Sequence, residues 1–263
     1  MNRTMQSTKS HKSRRFTIYF TFFCIVLAII GTILIFVSVF SFKSIEKAAD
    51  KTVDIIYKTD DIPLTIIIDA GHGGEDGGTI GQNGVIEKDL NLDIAFKVRD
   101  MLCAAGMKTV MTRTEDILLY DRNEDFMGHK KSLDLKARLN IEKSIPNSVF
   151  VSIHMNAFPN SKYSGLQVWY SKNDAGSKAL ARLIQSNTET WLQKENSRKI
   201  KAADSSIFLL DRADDAAVLI ECGFLSNSEE CEKLSDENYR RQLAFIIFSS
   251  IKEYSKNYGC NES

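Results

Sequence analysis

A chain of 263 residues, 43% hydrophobic and 26% charged, is long enough to bury one sizeable core and ordinary in composition for a globular protein. Its 34 basic and 34 acidic residues cancel overall but not locally: residues 1–43 carry Arg3, Lys9, Lys12, Arg14, Arg15 and Lys43 with no acid, leaving 28 bases against 34 acids beyond them. A mildly acidic domain lacks the clustered Lys and Arg that phosphate contacts need, which excludes a nucleic-acid binder.

Taken in chain order, residues 1–15 form a basic N-terminus. Phe16 to Phe42 follows without a single charge, and roughly 20 apolar residues in a helix suffice to cross a bilayer. The run is longer than the apolar core of a signal peptide, and Ser38-Val39-Phe40-Ser41-Phe42 has no small-residue cleavage pattern. A retained single anchor is therefore expected, with the basic flank in the cytoplasm and the remainder outside. Residues 43–62 are polar and mixed, a linker to a domain over 63–258. In that domain Leu64–Asp69 reads as a buried strand. Glu87–Ala105 reads as a helix, with Leu90, Ile94, Val98 and Leu102 at i+4 spacing and Gly106 past its end. Thr109–Thr112 is a predicted strand, Leu133–Ser144 a helix, Ser148–Ile153 and Leu166–Tyr170 strands, Ser177–Glu195 a helix, Ala217–Ile220 a strand and Asn238–Tyr254 a helix. Alternating strands and helices imply one α/β domain with a twisted, mostly parallel sheet covered by helices on both faces. Cys103, Cys222, Cys231 and Cys260 show no C-x-x-C spacing, and Cys103 and Cys222 are expected to be buried.

Ligands in such sheets sit beyond the strand C-terminal ends, where His72, His154 and Glu221 all fall. Five glycines, Gly71, Gly73, Gly74, Gly77 and Gly78, surround His72. A phosphate-cradling loop is the rival reading, but G-x-x-x-x-G-K-[ST] is absent. Two imidazoles, His72 and His154, with the carboxylate of Glu87 make the ligand set of a catalytic zinc site with an open position. Taken singly, His154 also reads as a satisfied strand-end histidine and Glu87 as a first-turn glutamate favoured by the helix dipole. Glu221 ends the apolar run Ala216-Ala217-Val218-Leu219-Ile220, where a carboxylate is costly unless ion-paired or functional.

Four segments occur in order: Asp69-Ala70-Gly71-His72-Gly73-Gly74-Glu75-Asp76-Gly77-Gly78, Glu87-Lys88-Asp89-Leu90-Asn91-Leu92, Ser152-Ile153-His154-Met155-Asn156-Ala157 and Glu221-Cys222-Gly223-Phe224-Leu225-Ser226-Asn227. Together they resemble the zinc N-acetylmuramoyl-L-alanine amidases of bacterial cell walls, over about residues 64–255. The resemblance implies one Zn2+ on His72, Glu87 and His154, with Glu221 as the catalytic glutamate. It implies hydrolysis of the amide between N-acetylmuramic acid and L-alanine in peptidoglycan. Asn156, Arg198 and Lys199 are candidates for orienting ligands or meeting the acidic stem peptide, and Arg113 and Arg138 for the same contact. A finer similarity, in Glu195-Asn196-Ser197-Arg198-Lys199-Ile200-Lys201 and Ser206-Ile207-Phe208-Leu209-Leu210, is to the germination-specific, sporulation-type amidases of spore cortex. There, removal of the stem peptide precedes muramic δ-lactam formation by a separate deacetylase, and the domain faces the space between the forespore membranes. The resemblance leaves room for a protein partner in activation or targeting. A vegetative wall amidase or a zinc peptidase cutting within stem peptides would use the same ligands. A non-catalytic wall-binding module would be marked by loss of one of them, and none is lost.

Overall fold

Runs of β-branched residues without a polar break, such as Thr65-Ile66-Ile67-Ile68, fit strands buried on both faces. The computed structural model describes residues 63–121 and 128–258, together with residues 31–32. The chain divides into two units, Met1–Thr59 and Asp60–Ser263, and every strand of the sheet belongs to the second. The expected anchor at Phe16–Phe42, the basic N-terminus and the linker lie outside the described residues, apart from Gly31 and Thr32. Among the described residues no helix is long and apolar enough to cross a membrane.

The strands are β1 (Thr65–Ala70), β2 (Lys108–Met111), β3 (Ser148–Asn156), β4 (Gln167–Tyr170), β5 (Lys201–Ala202) and β6 (Ala216–Phe224). They form one sheet in the order β2-β1-β3-β6-β4-β5. All neighbours are parallel except β4 and β6, which are antiparallel, so the sheet is mixed. The helices are α1 (Glu87–Ala104), α2 (Lys130–Lys143), α3 (Ala175–Trp191), α4 (Phe208–Arg212), α5 (Ser228–Ser235) and α6 (Glu237–Tyr258). The period-2 alternation of strand side chains sorts the core into two layers. Ile66, Ile68, Val149, Val151, Val218 and Ile220 face the larger layer, packed under α1, α3 and α6. Ile67, Phe150 and Ala217 face the smaller layer, closed by Leu139 of α2 and Leu209 and Leu210 of α4.

The helices lie on both faces, as the sequence predicts, but several element boundaries move. β3 runs on to Asn156 and β6 to Phe224, because ladder hydrogen bonds are made by the backbone and continue where the apolar side-chain run has ended. α3 begins at Ala175, where the Asp174 carboxylate caps it by accepting from the N–H groups of Gly176 and Ser177. The segments β5, α4 and α5 are too short to show a period in the sequence. Cys222 is buried as expected, and burial pushes its thiol up. Cys103 is exposed instead, since it follows Leu102 round α1 onto the outer side.

Candidate metal centre and active site

The same alternation that builds the smaller layer also builds the site. Two residues beyond Ile67 on β1 is Asp69; beyond Phe150 on β3 come Ser152 and His154; beyond Ala217 on β6 come Leu219 and Glu221. One sheet face thus turns from apolar to polar as the strands approach their C-terminal ends. In register, His154 stands opposite Glu221, and the ladder shifts between His154 and Asn156.

His72 arrives from a different direction, on the loop after β1, with a positive φ of 60° that side-chain-bearing residues seldom adopt. The loop must pass very close to β3: a Cβ on Gly71 would strike the imidazole of His154. Gly78 is similarly confined, since its φ is 68° and a Cβ there would lie 2.5 Å from Glu87 Oε2. Glu87 opens α1 with both oxygens committed. Its Oε2 accepts from Thr79 N–H at 2.8 Å and its Oε1 from Met155 N–H at 3.1 Å. The same Oε1 lies 3.1 Å from His72 Nε2 and 3.1 Å from His154 Nδ1. Burial opposes ionisation of Glu87, but the two imidazoles outweigh it and hold the carboxyl well below the usual range. His72 is shifted upward: burial works against its charged form, and Glu87 and then Asp76 overcome that. Asp76 Oδ2 lies 2.9 Å from His72 Nδ1, within ion-pair distance but out of line for a well-directed hydrogen bond.

His72, Glu87 and His154 each offer one ligand atom, and the three atoms lie within 4.8 Å of one another. Two imidazoles and one carboxylate, with the carboxylate steadied by two backbone N–H groups and one imidazole backed by Asp76, fit a divalent zinc ion. The centre opens into a cleft of about 250 Å³ that Glu221 also lines, with Leu135, Ile207 and Phe208 on its far wall. Glu221 is half-buried, and its Oε2 is fully buried with no hydrogen-bond partner among the described residues. Burial, helped by the negative Glu87 and opposed by Arg198, pushes its carboxyl up to about 8. A bound divalent cation adds charge of the opposite sign and draws such a carboxyl back down.

Beneath the site lies a buried charge network. Asp69 accepts from Ser152 Oγ at 2.6 Å, Thr112 Oγ1 at 2.7 Å and Arg138 Nη1 at 2.6 Å. Arg138 also donates to the carbonyls of Ala70 and His72, at 2.8 and 2.7 Å, and to Asp134 at 2.8 Å. Arg113 takes the carbonyls of Ala70 and Gly71, at 2.9 and 3.0 Å, and Asn91 Nδ2 donates to Gly71 as well. Burial works against the Asp69 charge, but Arg138 and the two hydroxyls hold its carboxyl below the ordinary range.

The network corrects one expectation: Arg113 and Arg138 are buried and their guanidinium groups are committed to backbone carbonyls and carboxylates within the fold, where a stem peptide was expected to meet them. Arg198 stacks its guanidinium 4.8 Å over the Phe224 ring and donates to Gln167 Oε1 at 2.5 Å, beside the Glu221 strand. Lys199 is exposed and lines a separate hollow with Tyr170 and Lys178. Asn156 lies at the β3 end, where its carbonyl accepts from Leu225 N–H, and it is not among the residues lining the cleft. Sequence reading missed the roles of Asp69 and Asp76 and gave Arg138 a substrate contact in place of its buried one. The only signal was their type: charged residues beside a strand end and two turns into an otherwise ordinary helix.

A model of the N-acetylmuramoyl-L-alanine amidase family matches residues 66–253. The germination-specific N-acetylmuramoyl-L-alanine amidase of Bacillus subtilis (strain 168) is 34% identical over 201 residues, covering 75% of this chain and 84% of that protein. The amidase LytC of the same organism is 32% identical over 192 residues, 72% of this chain and 35% of its own. Among solved structures, the CwlD amidase of Clostridioides difficile, determined in complex with the GerS lipoprotein, superposes with a TM-score of 0.70 at 40% identity. That match covers 73% of this chain and 98% of the other. His72, Glu87, His154 and Glu221 all lie within the matched span, and this chain belongs to the family of N-acetylmuramoyl-L-alanine amidases.

Proposed function

We propose that this amidase is zinc-dependent, with the ion held by His72, Glu87 and His154, and that it acts on spore-cortex peptidoglycan. The observation that carries the zinc reading is the convergence of two imidazoles and a doubly anchored carboxylate at the mouth of one cleft. Zinc held by such a set acts as a Lewis acid and lowers the pKa of water to about 7. The chain's own residues do the rest. Glu221 Oε, across the ladder from His154, takes a proton from the attacking water and delivers it to the alanine nitrogen as the amide breaks. The products are the lactyl carboxylate on muramic acid and a stem peptide with a free amino terminus. Arg113, Arg138 and Asn91 fix the carbonyls of the loop that carries His72, so that its imidazole is aimed by folding.

The cortex assignment rests on likeness to the germination-specific relative and to CwlD. By analogy with the GerS complex, a lipoprotein-like partner is part of the proposal. The test is mass spectrometry of muropeptides treated with the purified full-length protein. The expected products are glycans with unsubstituted lactyl groups and intact stem peptides; chelation should abolish them and added zinc restore them. Cleavage between stem-peptide amino acids would make the protein a peptidase, and full activity of His154→Ala under chelator would remove the metal from the mechanism.

Phe16–Phe42 is proposed as a retained anchor that places residues 63–258 outside the cytoplasm. Protease added to intact protoplasts should remove the domain and leave a short membrane-bound fragment. A soluble form beginning near Lys43 would identify the segment as a cleaved leader, and a protected domain would reverse the topology.

A further inference from the structure

Five large apolar side chains are exposed among the described residues: Ile80, Phe158, Tyr163, Trp191 and Phe245. Three of them, Ile80, Phe158 and Tyr163, sit on loops beyond the C-terminal end of the sheet. Both loops hang on Ser226. Its hydroxyl accepts from Phe158 N–H at 3.0 Å, and its carbonyl accepts from Gln82 Nε2 at 3.2 Å. The Phe158–Tyr163 loop is pinned again where Asn227 Nδ2 donates to Ser161 O at 2.8 Å. The rings are therefore held by the segment that immediately follows Phe224.

Within this group the aromatic rings are continuous. Phe158 and Tyr163 meet edge to face at 4.9 Å, and Tyr163 stacks on the buried Phe224 at 6.4 Å. Arg198 covers the other end of the row, with its guanidinium 4.8 Å over the Phe224 ring. The row thus starts at the buried Phe224, three residues past Glu221 on β6, and ends in solvent at Phe158, four residues past His154 on β3. Half the surface of Phe158 stays exposed beside the exposed Tyr163, and apolar rings that are exposed side by side mark a binding surface more often than rings exposed singly.

We propose that Phe158 and Tyr163 form a platform for the sugar rings of the glycan strand, resting on the amidase reading above. The scissile amide joins the lactyl group of a sugar to a peptide, so a substrate held beside His154 and Glu221 carries its neighbouring sugars past the ends of β3 and β6, where the Phe158–Tyr163 loop departs. A pyranose presents a face of C–H groups with partial positive charge, which the negative face of an aromatic ring attracts. The exposed Asn160, Ser161 and Lys162 between the two rings supply hydrogen-bonding groups for ring hydroxyls. A rigid platform also loses little conformational entropy on binding.

The test compares two substrates for the full-length protein in detergent: peptide-bearing glycan strands of many disaccharides, and a single N-acetylmuramoyl-peptide. The wild type should prefer strands. In Phe158→Ala/Tyr163→Ala the strand-to-monomer ratio of kcat/KM should fall about tenfold, through KM on strands. Phe158→Tyr/Tyr163→Phe keeps both rings and should restore the ratio, which separates stacking from loss of fold. An unchanged ratio in the alanine variant would overturn the platform and leave the surface as a protein contact. A zinc-loaded wild type that cleaves between stem-peptide amino acids and leaves the muramoyl amide intact would overturn the amidase reading itself.

Discussion

Replacing Glu221 by Gln should lower amidase activity by about 10²–10⁴-fold while leaving zinc near one ion per chain. The side chain keeps its shape, and the cleft loses the carboxylate that faces His154 without being bound to either imidazole. Glu221 faces His154 across the ladder but makes none of the close contacts that tie Glu87 to His72 and His154. Its buried Oε2 has no hydrogen-bond partner among the described residues, so the amide of Gln meets no specific clash there. Activity assays and metal analysis on the same preparation decide the matter. Loss of zinc in this variant would make Glu221 a ligand and reopen the role of Glu87.

The second large effect concerns stability. Arg138→Ala should destabilise the protein by about 3–5 kcal/mol, the cost of leaving one member of a buried ion pair alone. Among the described residues Asp69 would keep only the Ser152 and Thr112 hydroxyls as side-chain hydrogen-bond partners, and the His72 carbonyl would lose its donor. Arg138→Lys should rescue little, because a single ammonium cannot reach Asp69, Asp134 and two carbonyls in one plane. Urea unfolding of the metal-free protein measures this directly. A loss under about 1 kcal/mol would show that the network relaxes or hydrates when the guanidinium is removed.

Much of the fold was legible because Leu90, Ile94, Val98 and Leu102 repeat at helical spacing and the strands read as unbroken apolar runs. The ligand set was legible because His72 and His154 end such runs and glycines flank the first. The arginine beneath the site was not. Arg138 occupies one position on α2 with nothing in its neighbours to distinguish it from a solvated cation, and its partner Asp69 lies 69 residues away. Pairings of that range depend on which strand lies beside which, and period alone does not specify the order β2-β1-β3-β6-β4-β5. The strand ends at Asn156 and Phe224 were hidden for a related reason, since a polar side chain leaves no trace of whether its backbone still pairs.

The alternation along β6 ties enzymatic competence to strand alignment. Glu221 reaches the cleft only because Val218, Ile220 and Cys222 point to the opposite face. A slip of β6 by a single position would drive the carboxylate in among the aliphatic chains under α1 and α3 and raise Ile220 into its place. Such a misaligned chain would bury an uncompensated acid and present a hydrocarbon to the substrate at once. The energetic penalty that rejects the wrong pairing during folding therefore comes from the catalytic residue itself, and proofreading of the sheet is built into the chemistry it serves.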